Sequence, residues 1–294
     1  MHAIARWSLA LAVVACSAPP APPTLTVTHR ARALHPGEVV VVTVTADSAL
    51  TAVRARDGNR TFPGVRLNGP GIETSDTWQV LLGLDLDTPL GSHTVRIDTE
   101  SPTGPATTTL QLDVAAKAFA TRRLTVDPNF VNPPAEVMPR ITEEAVALNA
   151  LWATVTEPPD APLRFTAPVP HAANSAFGTR SIFNGEPRSA HGGADFLSPA
   201  GTPIAAPAPG TVVLARDLYY TGGTVVIDHG LGLYSLFAHL SAIDAAVGAA
   251  VTSGTVVGKV GRTGRVTGAH LHWTVRLNGT RVDPLALVEL LPAQ

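Results

Sequence analysis

The sequence predicts a mainly β fold in which a short helical linker separates two β-rich parts. The 25 glycines and 26 prolines among 294 residues suit short strands and turns better than long helices. Short runs of β-branched or alternating residues, bounded by turn residues, recur on both sides of the linker. No long helical pattern separates the runs of the second part, so we expect an antiparallel sheet there.

The composition is that of a folded protein with a substantial core. Apolar residues make up 45% of the chain and charged residues 15%. A length of 294 residues allows two domains. The formal net charge of −2 gives no reason to expect nucleic acid as a partner, or electrostatic attraction to a membrane.

Residues 1–15 predict a signal peptide. Arg6 precedes an apolar run that is too short to cross a bilayer as a helix. The run ends in Val-Val-Ala-Cys at residues 13–16, which resembles the bacterial lipobox, a signal whose cysteine becomes the lipidated N-terminus. Residues 16–23 then form a proline-rich tether. An ordinary secretory signal with an incidental Cys16 is the alternative.

Both interpretations of the leader predict an exported chain. With a lipid on Cys16, the protein would be an envelope lipoprotein, facing the periplasm from the inner or outer membrane of a host with two membranes. The lipid anchor would then be its only contact with the membrane.

Residues 24–115 predict an accessory domain without chemistry of its own. Seven short strands follow one another at the spacing of an immunoglobulin-like β-sandwich. His29, His35 and His93 are scattered through it without an acidic or histidine partner at ligand spacing. We interpret them as ordinary strand or surface residues.

Residues 116–160 predict a linker with one helix. Thr142 is placed as its N-cap, with Glu143 and Glu144 in the first turn, where carboxylates suit the helix dipole. The two glutamates are adjacent and do not share a helix face, so a catalytic pair is not expected. The apolar residues recur at helical spacing, at Ile141, Ala145, Leu148, Leu151 and Trp152.

Residues 161–294 contain a set of residues with metal-ligand spacing. His270 and His272 alternate along a predicted strand, so both side chains face the same side. His191 and Asp195 are separated by a loop with two glycines and can converge on one ion. His191, Asp195 and one histidine of the pair would form the nitrogen and oxygen set typical of a three-ligand zinc site.

His239 adds a further imidazole at the end of another predicted strand. A period of two places Ser235, Phe237 and His239 on one face of this strand. Each of these motifs is weak alone, because HxH and HxxxD patterns occur by chance. Together, in this order and with glycine loops between them, they favour a metal site over incidental histidines.

Residues 177–284 resemble the lysostaphin/LytM-type murein zinc metallopeptidases, a similarity that covers rather more than a third of the chain. The matching segments occur in the family order: AFGTR at 176–180, HGGADF at 191–196, GTPI at 201–204, GTVVIDHGLGLYSLFAHL at 223–240, VGKVGRTGRVTGAHLHWTVRLNG at 257–279 and DP at 283–284. Phe237 departs from the pattern, since many members have tyrosine before Ala-His-Leu. That difference would affect substrate contacts near His239.

The resemblance implies a role for each residue of the set. His191, Asp195 and His272 would bind one zinc ion per chain, whereas His239 and His270 would be catalytic without binding it. Which of the two histidines acts as the general base stays open. Two further implied roles are weaker: Arg180 and Asn184 would contact substrate, and His229 would be structural.

The leading hypothesis is a zinc endopeptidase that hydrolyses peptide cross-links of bacterial peptidoglycan. A non-catalytic LytM-type protein that binds the wall or activates amidases is the alternative, although such proteins usually lack a metal ligand. A β-rich structural lipoprotein would require five coincidences in family order. The sequence contains neither HExxH nor GxSxG, and its only cysteine is in the leader, so histidine is expected to act as base.

Overall fold

The computed structural model describes residues 21–67, 75–158, 163–174 and 177–293. The predicted signal peptide and Cys16 lie outside these ranges. The predicted mainly β fold is confirmed, with antiparallel sheets on both sides of one long helix. No helix in the described ranges has the length and apolar character needed to cross a membrane.

Seven strands form the N-terminal sheet: β1 (Leu25–Arg30), β2 (Val39–Ala46), β3 (Ala52–Asp57), β4 (Arg60–Arg66), β5 (Asp76–Gly83), β6 (Gly91–Glu100) and β7 (Ala106–Val114). Their order is β1-β2-β5-β4-β3-β6-β7, and all pairings are antiparallel.

Strand β4 makes the N-terminal part differ from a sandwich of two separate sheets. β4 pairs with β3 through residues 60–63 and with β5 through residues 64–66, so it joins what would be two separate sheets. A Cβ at Gly64 would approach the carbonyl oxygen of Val53 to 3.0 Å, which explains the glycine at this crossing. Because β1 and β7 also touch, the sheet is barrel-like.

The linker contains β8 (Thr121–Leu124), two 3₁₀ turns (Pro128–Phe130 and Ala135–Val137) and helix α1 (Met138–Ala153). β8 runs parallel to a strand of the C-terminal part and so attaches the linker to it. Leu148, Leu151 and Trp152 pack on a cluster of buried residues of that part, as their helical spacing predicts.

The predicted N-cap of the helix is wrong. The helix begins at Met138, and the Thr142 hydroxyl donates to the carbonyl oxygen of Met138 at 3.0 Å, inside the first turns. Glu144 is buried, with its carboxylate 2.7 Å from Arg140 Nε and 2.8 Å from the amide nitrogen of Tyr219. This carboxylate therefore fixes the helix against the neighbouring strand instead of capping it.

The C-terminal part contains β9 (Arg180–Phe183), β10 (Glu186–Pro187), β11 (Gly193–Phe196), β12 (Pro203–Ala205), β13 (Gly210–Leu218), β14 (Gly222–Asp228), β15 (Leu233–Leu240), β16 (Ala242–Ile243), β17 (Ala250–Val251), β18 (Val256–Lys259), β19 (Leu271–Leu277), β20 (Thr280–Val282) and helix α2 (Pro284–Leu290). The main sheet has the order β11-β19-β15-β14-β13-β17, with β20 beside β19. Two small sheets, β10-β9-β8 and β12-β18-β16, flank it.

The two faces of β19 have different roles. Leu271, Trp273 and Val275 point into the main core and are fully buried, whereas the alternate residues His272 and Thr274 face the other side. That other side is the face on which helix α1 packs further along the sheet. One face of the strand is thus anchored in the core, and the other face presents polar side chains.

The N-terminal sheet packs directly against the C-terminal part, and one hydrophobic core extends across both. Two arginine networks accompany it. Arg32 lies 2.9 Å from Glu38 and 2.7 Å from Asp283, and the Arg281 guanidinium lies 2.5 Å from the buried Asp85. The predicted domain boundaries at residues 115 and 160 stay predictions.

Candidate active site

The predicted metal ligands converge where β11 and β19 pair. Asp195 and His272 are directly opposite each other in this antiparallel pair, so their side chains emerge side by side. Asp195 Oδ1 is 2.8 Å from His272 Nδ1 and 3.0 Å from His191 Nε2. One ligand atom from each of the three residues lies within 4.8 Å of the other two.

This convergence requires glycine at position 193, because β11 and β19 pack closely there. A Cβ at Gly193 would overlap the carbonyl oxygen of Trp273 and lie 2.8 Å from the His272 ring. Gly192 has open space around its Cβ position. Only the second of the two glycines that the motif contains is therefore needed to bring β11 against β19.

The charge states of the cluster follow from its burial and contacts. Burial alone would raise the pKa of Asp195, but hydrogen bonds from His191 and His272 hold that pKa well below its ordinary value. Burial lowers the pKa of His272, more than the hydrogen bond to Asp195 raises it. An ionised carboxylate beside a neutral imidazole is the combination that metal binding requires.

These residues fit a zinc ion. His272 Nε2 is 2.8 Å from the Thr274 hydroxyl and can donate a hydrogen bond to it; in that tautomer Nδ1 would face the ion instead of donating to Asp195. Two nitrogens and a carboxylate oxygen form a typical catalytic zinc set. His191 faces Asp195 through Nε2, which places that nitrogen toward the ion, while its Nδ1 is buried without a hydrogen-bond partner among the described residues.

The other two histidines are placed beside the cluster by one loop, residues 262–268. His239 Nδ1 donates to the Thr263 carbonyl at 2.9 Å, and His270 Nδ1 donates to the Gly268 carbonyl at 2.9 Å. Their rings are 4.9 Å apart, and His270 Nε2 is 3.8 Å from Asp195 Oδ1. In their neutral forms both rings therefore keep Nε2 free to accept a proton.

The placement of His239 differs from the period-two expectation. Phe237 is fully buried and stacks on Trp273 in the main core. His239 has a φ of 69°, and this left-handed backbone turns its ring toward the other face, 6.0 Å from the His272 ring. Burial, together with the charges of His272 and His270, lowers the pKa of His239 to about 3, so it is neutral at pH 7.

Sequence reasoning missed Arg122 on β8. Its Nη1 is 3.6 Å from Asp195 Oδ2, and its Nε donates to the Ser181 hydroxyl at 3.2 Å. Arg122 thus faces the carboxylate oxygen that the histidines leave unused. No local motif marks this arginine, since the parallel pairing of β8 with β9 brings it to the groove.

Arg180 and Asn184, predicted to contact substrate, do not line the groove. Arg180 is exposed at the start of β9. The Asn184 side-chain amide accepts from the nitrogen of Val126 and donates to its carbonyl, each at 3.0 Å. Asn184 therefore holds the linker in place, and substrate contact by either residue stays a prediction.

His229 lies behind the site. It donates from Nδ1 to the Pro209 carbonyl at 2.7 Å, and its Nε2 is 2.9 Å from the Ser235 hydroxyl. The same hydroxyl accepts from Trp273 Nε1 at 3.1 Å. This network supports the strand that presents His272, which agrees with the structural role expected of His229.

Comparison with known proteins identifies the family. Residues 189–284 match the model of peptidase family M23. A crystal structure from Pseudomonas aeruginosa, of a protein assigned to the M23 peptidases, is 32% identical. The match covers 87% of this chain and 95% of that one, with a TM-score of 0.66. The chain belongs to peptidase family M23. The predicted resemblance is thereby confirmed at the level of the family.

Curated relatives match about a third of this M23 chain. A DD-carboxypeptidase/endopeptidase, Mpg, of Neisseria meningitidis is 43% identical over 97 residues, which are 33% of this chain and 22% of that protein. The peptidoglycan DD-endopeptidase ShyA of Vibrio cholerae is 41% identical over 95 residues, 32% of this chain and 22% of that protein. The match thus spans about a fifth of the length of these relatives.

Proposed function

We propose that this M23 protein is a zinc-dependent endopeptidase that hydrolyses peptide cross-links of bacterial peptidoglycan. The observation that supports it most is the convergence of His191, Asp195 and His272 beside two further histidines, His239 and His270. The Vibrio cholerae relative is a peptidoglycan DD-endopeptidase, which supports the choice of substrate.

Each residue has a defined task in this proposal. His191 Nε2, Asp195 Oδ1 and His272 Nδ1 would hold the zinc. Bound there, zinc supplies a Lewis acid that polarises the scissile carbonyl and makes water a better nucleophile. His239 and His270, each oriented by a backbone carbonyl, provide one base to take the proton of water and one group to stabilise the developing negative charge.

The experiment that tests this function measures metal and product on the same protein samples. The wild-type chain should hold about one zinc ion and release new peptide ends from purified sacculi, as detected by mass spectrometry. His191→Ala should lose both properties. His29→Ala, which removes an exposed histidine of β1, is the matched control and should keep both.

The outcomes separate the candidate functions. A wild-type chain that binds zinc but leaves sacculi intact would contradict the endopeptidase proposal. If it also stimulated an amidase, the non-catalytic alternative would take its place. The masses of the released peptides would identify the bond that is cut.

Export and lipidation belong to the same proposal and rest on residues 1–23 alone. A lipid on Cys16 would hold the enzyme beside its substrate. We expect the wild-type protein to fractionate with membranes, and Cys16→Ala to be released into the soluble envelope fraction. Equal fractionation of both proteins would contradict lipidation.

A further inference from the structure

Arg265 has an unusual environment on the wall of the groove. Its guanidinium carbon lies 4.7 Å from the ring centre of Tyr220 and 5.1 Å from that of Phe183, so the two aromatic rings flank it. Its backbone nitrogen donates to the carbonyl of Tyr220 at 2.8 Å. The loop and the side chain are therefore fixed before any ligand arrives.

The Arg265 guanidinium lacks a partner within the described chain. It makes no hydrogen bond and no ion pair with any described residue, although the side chain is half-buried. Burial lowers its pKa, and the nearby Arg188 lowers it further. Arg188, by contrast, pairs with Glu186 at 2.6 Å and donates to the Val131 carbonyl at 2.8 Å.

The described lining of the groove contains more basic than acidic side chains. It has a volume of ≈ 580 Å³, and among its described lining residues Asp195 is the only acidic one. Five arginines line it: Arg122, Arg188, Arg265, Arg276 and Arg281. Arg122, Arg188 and Arg281 are paired with the carboxylates of Asp195, Glu186 and Asp85, whereas Arg265 and Arg276 make no ion pair with a described residue. The positive charge of these two arginines favours an anionic ligand in the groove.

Arg265 is also connected to the reacting residues by its own loop. Residues 262–268 provide the Thr263 carbonyl that orients His239 and the Gly268 carbonyl that orients His270. Arg265 lies between these two carbonyls in sequence and lines the same groove as both histidines. A group bound by Arg265 would therefore be held close to the bond under attack.

We propose that Arg265 binds a carboxylate of the substrate peptide, so that the groove takes acidic stem peptides in preference to neutral glycine bridges. A guanidinium matches a carboxylate with two parallel hydrogen bonds, and flanking rings hold its plane in place. A neutral bridge would leave this half-buried cation unpaired, which is unfavourable. The inference rests on the proposed function, which makes the substrate a peptidoglycan peptide. It adds that acidic peptides of this class are bound in preference to neutral ones.

Binding can be tested without turnover. The probe is a stem tetrapeptide, L-Ala-D-Glu-diaminopimelate-D-Ala, which contains no cross-link, prepared with its carboxylates free or amidated. Titration calorimetry with the zinc-loaded full chain should show at least about tenfold tighter binding of the free-carboxylate peptide. Arg265→Gln should reduce this ratio to about one by weakening the carboxylate peptide alone, with zinc content unchanged.

Two further variants make the test specific. Arg262→Gln removes an exposed arginine of the same loop that does not line the groove, and should keep the wild-type ratio. Arg265→Lys keeps the charge but not the planar fork, and should give an intermediate ratio. Equal binding of both peptides by the wild type, or the same loss of ratio in Arg262→Gln and Arg265→Gln, would overturn the assignment.

Turnover separates this inference from the proposed function. The second substrate pair is a dimer of stem peptides joined by a D-alanyl cross-link, again free or amidated. If the wild type cleaves both dimers with the same KM, the carboxylate site is wrong and the endopeptidase stands. If it cleaves neither dimer while the Arg265-dependent binding ratio persists, the endopeptidase is wrong and the carboxylate site stands.

Discussion

Replacing His270 and His272 one at a time should separate metal binding from turnover. His270 directly precedes β19 and His272 lies on it, and their distances to the shared carboxylate differ. His272 Nδ1 lies 2.8 Å from Asp195 Oδ1, whereas His270 Nε2 lies 3.8 Å away and donates from Nδ1 to a backbone carbonyl. His272 is therefore placed as a ligand and His270 as a neighbour of the reaction.

The expected magnitudes follow from these positions. Structural zinc sites with four ligands bind with about 10–16 kcal/mol, so one ligand contributes about 3 kcal/mol. His272→Ala should therefore weaken zinc binding roughly 100-fold or more. His270→Ala should keep zinc affinity within a few-fold, and lose a factor of about 10²–10⁴ in kcat, the range of a general acid or base.

The assay measures both quantities on one preparation. Competition with a chromophoric chelator gives the zinc affinity, and release of peptides from sacculi gives turnover. His29→Ala, on β1 and outside the groove lining, controls for the loss of an imidazole. Equal zinc loss in His270→Ala and His272→Ala, or full turnover in His270→Ala, would refute the assignment of different roles to the pair.

Three further predictions follow from buried contacts. Thr274→Val should weaken zinc binding about tenfold, because it removes the hydroxyl that orients His272. Asp85→Ala should lower the free energy of unfolding by about 3 kcal/mol in urea titrations, since it removes the buried carboxylate that pairs with the Arg281 side chain and accepts its backbone N–H at the junction of the two parts. Burial lowers the pKa of His229 from 6.5 to about 4, so the contribution of this histidine to stability should be fully present above pH 6.5 and fall by about 3 kcal/mol as pH drops to about 4. His229→Gln should lack this dependence.

Each of these predictions has a control in the same region. Thr274→Ser keeps the hydroxyl and should keep the affinity for zinc. Asp87→Ala removes a largely exposed partner of the same arginine, so its effect on stability should be small. A stability curve for His229→Gln that matches the wild type between pH 4 and 6.5 would show that this histidine does not cause the pH dependence.

Much of the β architecture could be predicted from local patterns. Alternation along β19 separates Trp273 from His272 because side chains of a strand alternate between faces. The start of α1 could not be predicted in this way. Thr142 has a good capping side chain, but the helix continues through it to Met138, since Glu144 and the packing of the apolar face stabilise the longer helix.

The sequence by itself determined the chemical identity of the candidate site. The HxxxD and HxH spacings, with glycines between, restrict which nitrogen and oxygen atoms can meet, because strand and loop geometry is local. The tertiary structure alone decided three other features. It turned His239 to the groove face through a left-handed backbone, against the period of its strand. It brought Arg122 from the linker to Asp195, and it flanked Arg265 with two aromatic rings that are distant in sequence. These contacts join residues 45 to 82 positions apart, and no pattern within one segment encodes which segments will pair.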